Sequence, residues 1–541
     1  MPDEVPIDAK SQGSSDMDAE ERREAAIEEI TSVLGLDPAA RNADHQMGLI
    51  GAISFVCGSI IGSGIFISPS TIIKETQSVG LSLLIWIGGA IISALGAYCY
   101  VEMGTSIRRS GSDFSYMHFM KLYPLAFSFG IITCFINSTS TIAIQAMTFA
   151  EYLRQGIRMK VDDPYKAKLY NVGISFTAVA LLAIINFYSI RKVVARFQIV
   201  ASFAKIGSTL LIICVGFYFL CFKGQTENLK DPFKNSQLAP GSLVGAFFAA
   251  LLAFDGWDIL NMGVEEVRNP RRTMPLAITV GMALVTVLFV LTNVAYSVVL
   301  TIPEIQESDA VAMKFADKAM GSFGVVVPFM ICIVLIGSLN SSIFLGSRAL
   351  HAIARSGLLP QFLSCWSHKR GSPRVAIVVL IFSAFCLAFS LDVRQLINYK
   401  GFSAWSQRTI TIILLIYIRL SKYPVNADRI QTPIFMPFLF IIFSGALVIT
   451  TVIGQTRTAL TVLCILGACF LVYMVFVWEK ALPRCSVYSR LRQKINAVLN
   501  KLCEIVFHAN VDLHHKPSSK SSANSKSYGL KWEANKDHKI R

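Results

Sequence analysis

The stretch GSIIGSGIFISP, residues 58–69, places three glycines and three serines inside an apolar segment that begins near Met47. Glycine costs roughly 1 kcal/mol per helix position relative to alanine. Opening a helix in hydrocarbon also frees backbone N–H and C=O groups, each of which costs several kcal/mol if it stays unpaired. Such a break persists where it is buried or where a ligand binds the freed groups. The stretch therefore predicts a membrane helix that is interrupted for a structural or functional reason.

The composition indicates a polytopic membrane protein. The chain has 541 residues, of which 53% are hydrophobic and only 16% are charged. Its mean hydropathy is +0.53. The apolar residues form blocks of about 20 or more, enough to cross a hydrocarbon core of roughly 30 Å. We expect an all-α fold with twelve spans, near residues 47–74, 79–107, 124–153, 169–188, 194–221, 241–264, 275–300, 321–350, 375–391, 395–418, 433–453 and 458–478.

The charge distribution predicts the orientation of the chain. The net charge of +15 lies mostly in loops, so it is not a nucleic-acid signal and we expect no nucleic-acid partner. Lys and Arg dominate the loops after the even-numbered spans, whereas the other loops carry nearly as many acids as cations. Because an excess of Lys and Arg marks the cytoplasmic side, both termini are expected to be cytoplasmic.

A second interrupted segment predicts an internal repeat. The segment FFAALLAFDGWDILNMGVEE, residues 247–266, carries Asp255 and Gly256 in its middle. Each interrupted segment opens a set of five spans, and an odd number gives two halves of inverted topology. Paired interrupted spans at matching places point to the central binding site of a transporter. The predicted transmembrane domain is 46–480, with one repeat at 47–221, the other at 241–418 and extra helices at 433–478.

The backbone groups freed at the two breaks suit an α-amino acid zwitterion. N–H groups that begin a half-helix present a positive dipole end to a carboxylate; here they belong to Ser63, Gly64 and Ile65. Carbonyls near the breaks would face a ligand ammonium, and these belong to Ile60, Ile61, Leu252 and Phe254. The alternative is that the glycines only permit close helix packing.

The flanking segments are polar. Residues 1–45 form an acidic tail that we expect in the cytoplasm, and residues 511–541 predict a disordered tail. Between the last span and that tail, residues 485–510 predict a basic amphipathic helix on the inner leaflet. The twelve cysteines lie mostly in spans and indicate no disulfide framework. No metal, cofactor or catalytic motif is found, so we expect no enzyme activity.

Five motifs occur in order along the chain: GSIIGSGIFISP (58–69), GAYCYVEMGTSIRRSGSDFSYM (96–117), NFYSIRKVVARFQIVASFAK (186–205), VEEVRNPRRTMPLAI (264–278) and GSLNSSIFLGSRALHAIARSGLLP (337–360). Together they resemble the L-type amino acid transporters, the light subunits of heteromeric amino acid transporters in the amino acid–polyamine–organocation superfamily. The resemblance covers roughly residues 45–480. It implies a LeuT-like fold of two inverted five-helix repeats plus two helices. It also implies sodium-independent amino acid exchange across the plasma membrane by alternating access.

The resemblance also implies roles for individual residues. The family's substrate carboxylate site matches Ser63, Gly64 and Ile65. Its ammonium-binding carbonyls match Ile61, Leu252 and Asp255, with Phe254 and Trp257 nearby as pocket or gate. Lys205 matches a fifth-span lysine that stands where sodium-coupled relatives bind their ion. The alternative for Lys205 is a snorkelling lysine near a span end.

Three departures from the family pattern bear on partners and substrates. The loop after the third span has no cysteine, so no disulfide-linked glycoprotein heavy chain is expected; working alone and noncovalent pairing both remain open. Residues 138–140, Ser-Thr-Ser, replace an Arg-Pro-Ser and so remove a cation and a kink. Asp255 replaces a small glycine, and a carboxylate at membrane depth is costly.

Asp255 leaves alternatives open. A salt bridge to Lys400 or Lys205 would make it structural. Facing the pocket, it would accept a cationic side chain or carry a coupled proton, which would make the protein a proton-coupled amino acid symporter. A non-transporting amino acid sensor is a further alternative. A channel is not indicated, because no ring of repeated filter residues occurs.

Overall fold

The computed structural model describes most of the chain between residues 48 and 511. The gaps are 63, 108–111, 160–162, 189–190, 263–266, 309, 356, 368–371, 422, 424, 427–428 and 479–480, and the side chains of 164, 191–202 and 262 are also outside the description. The predicted tails at 1–45 and 511–541 therefore lie outside the described residues, apart from Val511.

The first half of the chain is helical. In chain order its helices are α1 (Leu49–Ile60), α2 (Gly64–Thr76), α3 (Val79–Ser106), α4 (Ser112–Phe119), α5 (Tyr123–Ile132), α6 (Thr139–Gly156), α7 (Pro164–Tyr188), α8 (Arg191–Cys221), α9 (Pro240–Ala253) and α10 (Ile259–Met262). A π-helical turn, Thr133–Ser138, joins α5 to α6. The Ser-Thr-Ser sequence at 138–140, which was expected to remove a kink, begins at the last residue of this turn.

The second half is also helical, with one small exception. Its helices are α11 (Pro270–Val299), α12 (Ile302–Gln306), α13 (Val311–Met320), α14 (Val326–Arg355), α15 (Arg374–Ser390), α16 (Val393–Leu420), α17 (Phe435–Gly454), α18 (Thr456–Val472) and α19 (Ser486–Phe507). The exception is an antiparallel pair of two-residue strands, β1 (Cys365–Trp366) and β2 (Asn510–Val511). No pattern in the sequence predicts this pair, because it forms between residues far apart in the chain.

The predicted multi-pass helical membrane fold is confirmed at that level. Within the described residues, eight helices are long and apolar enough to cross a membrane, and α1 with α2 would make a ninth as one bent span. A helix also lies in each of the twelve predicted segments. The count of twelve spans and the inverted repeat stay predictions.

Both predicted helix breaks are present. The axis bends by 48° between α1 and α2, and Ile61 caps α1 with its N–H donating to the Cys57 carbonyl at 2.8 Å. The second break follows Ala253, where residues 254–258 form turns before α10. Gly256 has a φ of +106°, a conformation that side-chain-bearing residues rarely adopt.

Helix α2 packs into the centre of the protein. Almost every residue of α2 is buried, and its Ser68 hydroxyl donates to the Ala249 carbonyl of α9 at 2.6 Å. Tyr152 of α6 donates to the Phe66 carbonyl at 3.2 Å. By contrast, α1 exposes Ile50 and Phe55. The helix after the first break, α2, is therefore buried among other helices, whereas the helix before it, α1, has an exposed face.

Candidate functional site

The two breaks are in direct contact. A Cβ added to Gly64 would lie 2.4 Å from the Cα of Ala253, and one added to Gly256 would lie 2.6 Å from Oγ of Ser59. The start of α2 therefore touches the end of α9, and the turn after α9 touches the end of α1. Approach this close requires glycine at both positions, since the Ala253 Cα or the Ser59 hydroxyl would otherwise overlap the new methyl group.

This contact sets helix ends of opposite polarity beside each other. The first N–H groups of a helix and its last carbonyls have no partner inside that helix, so they carry partial positive and negative charge. Gly64 and Ile65 supply such N–H groups at the start of the 13-residue α2. Leu252 lies in the last turn of α9, where its carbonyl accepts the Asp255 N–H at 3.3 Å. The arrangement suits a small zwitterion.

Most of the main-chain groups assigned from the sequence lie where the two breaks meet. Gly64, Ile65, Ile61 and Leu252 lie at the two breaks, which the fold brings together. Ser63 falls outside the described residues. These positions were visible in the sequence because glycine and aspartate interrupt apolar runs.

The aromatic residues assigned as pocket or gate are fully buried. The ring of Phe254 packs between Trp86 and Phe289, with centroid distances of 6.0 and 5.1 Å. Trp257 stands edge-on to Tyr100 at 5.0 Å. These contacts fix the backbone of the 254–258 turn to the neighbouring helices.

Asp255 is paired with two cations of α16. Its Oδ2 accepts from Lys400 Nζ at 2.9 Å, and its Oδ1 accepts from Arg408 Nη2 at 2.7 Å. The Arg408 guanidinium also lies 4.7 Å from the Trp257 ring centroid, a cation–π contact. Of the two salt-bridge partners considered for Asp255, Lys400 forms the pair and Lys205 forms a different contact; Arg408 was not foreseen as a partner.

Lys205 lies in the middle of α8 and is only 7% exposed. Its ammonium donates to the carbonyl of Gly58 at 3.4 Å. Gly58 belongs to the last turn of α1, just before the first break. The mid-helix position and the burial do not match a lysine that snorkels from a span end.

Helix α16 contributes more polar groups than the sequence analysis assigned. Ser403 donates to Asn137 at 2.5 Å, and Gln407 accepts from Asn137 at 3.2 Å. Thr411 donates to Asp113 at 3.0 Å, and Tyr100 donates to the same carboxylate. A signal was available, since these α16 residues and the two cations recur every three or four positions and so share one helix face.

Ion pairs also hold both ends of α16. Arg394, near its start, pairs with Glu75 of α2, a glutamate that is 5% exposed. Arg419, near its end, donates through Nε to Glu102 of α3 at 2.7 Å. Glu102 also accepts the N–H of Thr432 at 2.9 Å. Helix α16 is thus joined by charge to α2, to the second break and to α3.

A helical membrane protein in which two interrupted helices meet through their backbones has the design of a transporter. The sequence model of the amino acid permease family matches residues 47–480. This chain therefore belongs to the amino acid permease family. The resemblance to L-type amino acid transporters is consistent with this result, and the chain is a transporter by family rather than an enzyme.

Individual relatives match over nearly their full length. "Amino acid transporter protein 6" of Caenorhabditis elegans is 47% identical over 463 residues, which are 86% of this chain and 88% of that protein. Human "b(0,+)-type amino acid transporter 1" is 32% identical, covering 88% and 96% of the two chains. Human "Cystine/glutamate transporter" is 33% identical, covering 85% and 91%.

Proposed function

We propose that this protein exchanges amino acids across the plasma membrane without sodium, holding one substrate at a time where α1–α2 and α9–α10 are interrupted. The observation that carries this proposal is the contact of Gly64 with Ala253, together with that of Gly256 with Ser59. These contacts set the start of one half-helix against the end of another. The names of the relatives agree with an amino acid substrate.

The substrate backbone would bind through main-chain groups. Its carboxylate would accept hydrogen bonds from the N–H groups at Ser63, Gly64 and Ile65. Its ammonium would donate to carbonyls of Ile61, Leu252 and Asp255. Because main-chain groups recognise what all α-amino acids share, this cradle would leave side-chain selection to the surrounding helices.

Sodium independence follows in this proposal from Lys205. A fixed ammonium beside the Gly58 carbonyl supplies a positive charge next to the first break. Sodium-coupled transporters of inverted-repeat design place a mobile cation near half-helix ends and unwound carbonyls. A tethered cation at such a place would remove the need for a mobile one.

Alternating access would move α1–α2 and α9–α10 relative to the helices around them. The proposed topology has twelve spans in two inverted repeats, with cytoplasmic termini. In this topology α2 would lie toward the outer side, where the Glu75–Arg394 pair holds it to α16 and the Ser68–Ala249 hydrogen bond holds it to α9. These two contacts support a conformation closed to the outside.

The proton-coupled alternative loses its main support. Both oxygens of Asp255 accept hydrogen bonds from cations, from Lys400 at 2.9 Å and from Arg408 at 2.7 Å. A carboxylate between two cations stays ionised, because protonation would leave both positive charges uncompensated. For the same reason Asp255 is not free to accept a cationic substrate side chain.

A disulfide-linked partner is not part of the proposal. The loop after the third predicted span lacks a cysteine. We propose that the protein acts alone or with a noncovalently bound glycoprotein heavy chain. Co-purification under non-reducing and reducing conditions distinguishes these cases from a covalent pair.

The test is uptake of a panel of labelled amino acids into proteoliposomes that contain the purified protein. Vesicles are empty or preloaded with unlabelled amino acid, and sodium and the proton gradient are varied separately. Uptake that rises on preloading and does not need sodium supports exchange. Uptake that needs a proton gradient would instead indicate a symporter, and ligand-induced thermal stabilisation without any uptake would indicate a sensor.

A further inference from the structure

Helix α19 presents an apolar stripe that the protein leaves exposed. The stripe repeats every three or four residues, so its members share one helix face. They are between 49% and 67% exposed, far more than core residues: Val487, Leu491, Ile495, Val498, Leu502, Ile505 and Val506. Large apolar patches of this kind mark surfaces that bind a protein or a membrane.

Positive charges border this stripe. Helical spacing puts Arg490, Lys494 and Lys501 along one edge and Arg492 along the other. Within α19 the one acid is Glu504. A helix with an apolar face bordered by cations lies in the interface of a bilayer, with its charges at the level of the headgroups.

The opposite side of α19 is attached to the transmembrane domain. Cys503 is buried, and just beyond the helix β2 pairs with β1 in the segment that follows α14. Arg374 donates to the Phe507 carbonyl at 2.7 Å and to the Phe187 carbonyl at 3.3 Å, which links α19 to the ends of α7 and α15. The helix is therefore held where the transmembrane helices end, which is where a bilayer surface lies.

We propose that α19 is a binding surface for anionic phospholipid headgroups and anchors the α7–α15 side of the transporter to the inner leaflet. The apolar stripe enters the headgroup boundary, while Arg490, Lys494 and Lys501 contact lipid phosphates and carboxylates. Anionic lipids are concentrated in the cytoplasmic leaflet, and cations near that surface are attracted to it. This inference does not depend on which substrate is carried or how transport is coupled.

Hydrogen–deuterium exchange of the backbone amides of 486–507 tests the proposal. The full-length protein is placed in nanodiscs of phosphatidylcholine, with or without phosphatidylserine. We expect slower exchange when phosphatidylserine is present. Each cation removed should weaken the binding of α19 to the anionic surface about fivefold. The triple variant Arg490→Gln, Lys494→Gln, Lys501→Gln should lose the difference between the two lipids.

A matched control removes the same charge elsewhere. Lys223, Lys230 and Lys234 lie exposed in the segment between α8 and α9, and their replacement by Gln should leave the lipid difference unchanged. For the apolar stripe, Leu491→Ser with Val498→Ser should speed exchange in both lipids. Ala497→Ser, an exposed position away from the stripe, should not.

Two results would overturn the proposal. Equal exchange in both lipids, with or without the three cations, would mean that α19 does not select anionic headgroups. The second result is slow exchange that persists in detergent without phospholipid and becomes slower as the protein concentration rises. It would mean that a second copy of the chain covers the stripe. Because no transport is measured, either result leaves the proposed exchange untouched.

Discussion

Gly64 lies against Ala253 so closely that an added Cβ would come within 2.4 Å of the Ala253 Cα. The start of α2 and the end of α9 are therefore in van der Waals contact, and no side chain fits between them. Because neighbouring backbone cannot yield as a flexible side chain can, even one methyl group must push α2 away from α9. The contact is therefore a precise test of whether the two breaks act as one site.

Substitution at this contact should abolish transport. We expect Gly64→Ala to reduce amino acid uptake strongly and Gly64→Leu to eliminate it, with protein still at the surface. The matched control is Gly467→Leu in α18, where an added Cβ meets nothing within 4 Å. Uptake and surface biotinylation are measured together. Normal uptake by Gly64→Leu would place the substrate elsewhere.

Asp255 should be required for stability. Asp255→Asn leaves Lys400 and Arg408 buried without their counter-charge, which costs about 3–5 kcal/mol in comparable sites. The thermal unfolding temperature of the purified protein should fall accordingly. Adding Lys400→Met to Asp255→Asn should recover part of the loss, because the two residues are in contact and their effects do not add. An unchanged unfolding temperature in the single variant would show that the ion pairs contribute nothing.

Lys205 should be required for sodium-free uptake. Lys205→Met removes the ammonium that donates to the Gly58 carbonyl. Since a hydrogen bond from a charged group contributes about 1.5–3 kcal/mol, we expect uptake to fall about tenfold or more. Lys223→Met, at an exposed lysine just beyond α8, is the control. Full sodium-free activity in Lys205→Met would remove the proposed role of this charge.

The Glu75–Arg394 pair should hold the outer side closed. Arg394→Gln leaves the buried Glu75 without this partner, so α2 should open more often toward the outside. A cysteine introduced at Ile61 should then react faster with an impermeant thiol reagent added outside. Lys168→Gln is the control, because it breaks another ion pair near the start of α16, with the exposed Asp392. Equal reaction rates in both variants would contradict this role.

The sequence predicted the breaks but not the contacts between them. Glycines in an apolar run are costly in a helix, so Gly62, Gly64 and Gly256 stand out without a structure. Their neighbours are different, because Ala253 and Ser59 are ordinary residues that become special only through proximity. Contacts between residues almost 200 positions apart leave no local pattern in a single sequence.

The charged residues of the site could also be recognised in the sequence, whereas their pairing could not. Asp255, Lys400 and Arg408 were each conspicuous, since charged residues are rare at membrane depth. Which cation pairs with Asp255 depends on how α8 and α16 pack around the second break, and the spacing of charges along one sequence does not show that packing. The β1–β2 pair escaped prediction because strands of two residues are too short to show an alternating pattern.

The most direct measurement is an experimental structure of the purified protein with a transported amino acid bound. The account predicts the ligand between the two breaks, with its carboxylate within hydrogen-bond distance of the N–H groups of Gly64 and Ile65. Its ammonium should lie on carbonyls of Ile61 and Leu252. A ligand bound away from these groups, or continuous helices through residues 61–65 and 253–257, would contradict it.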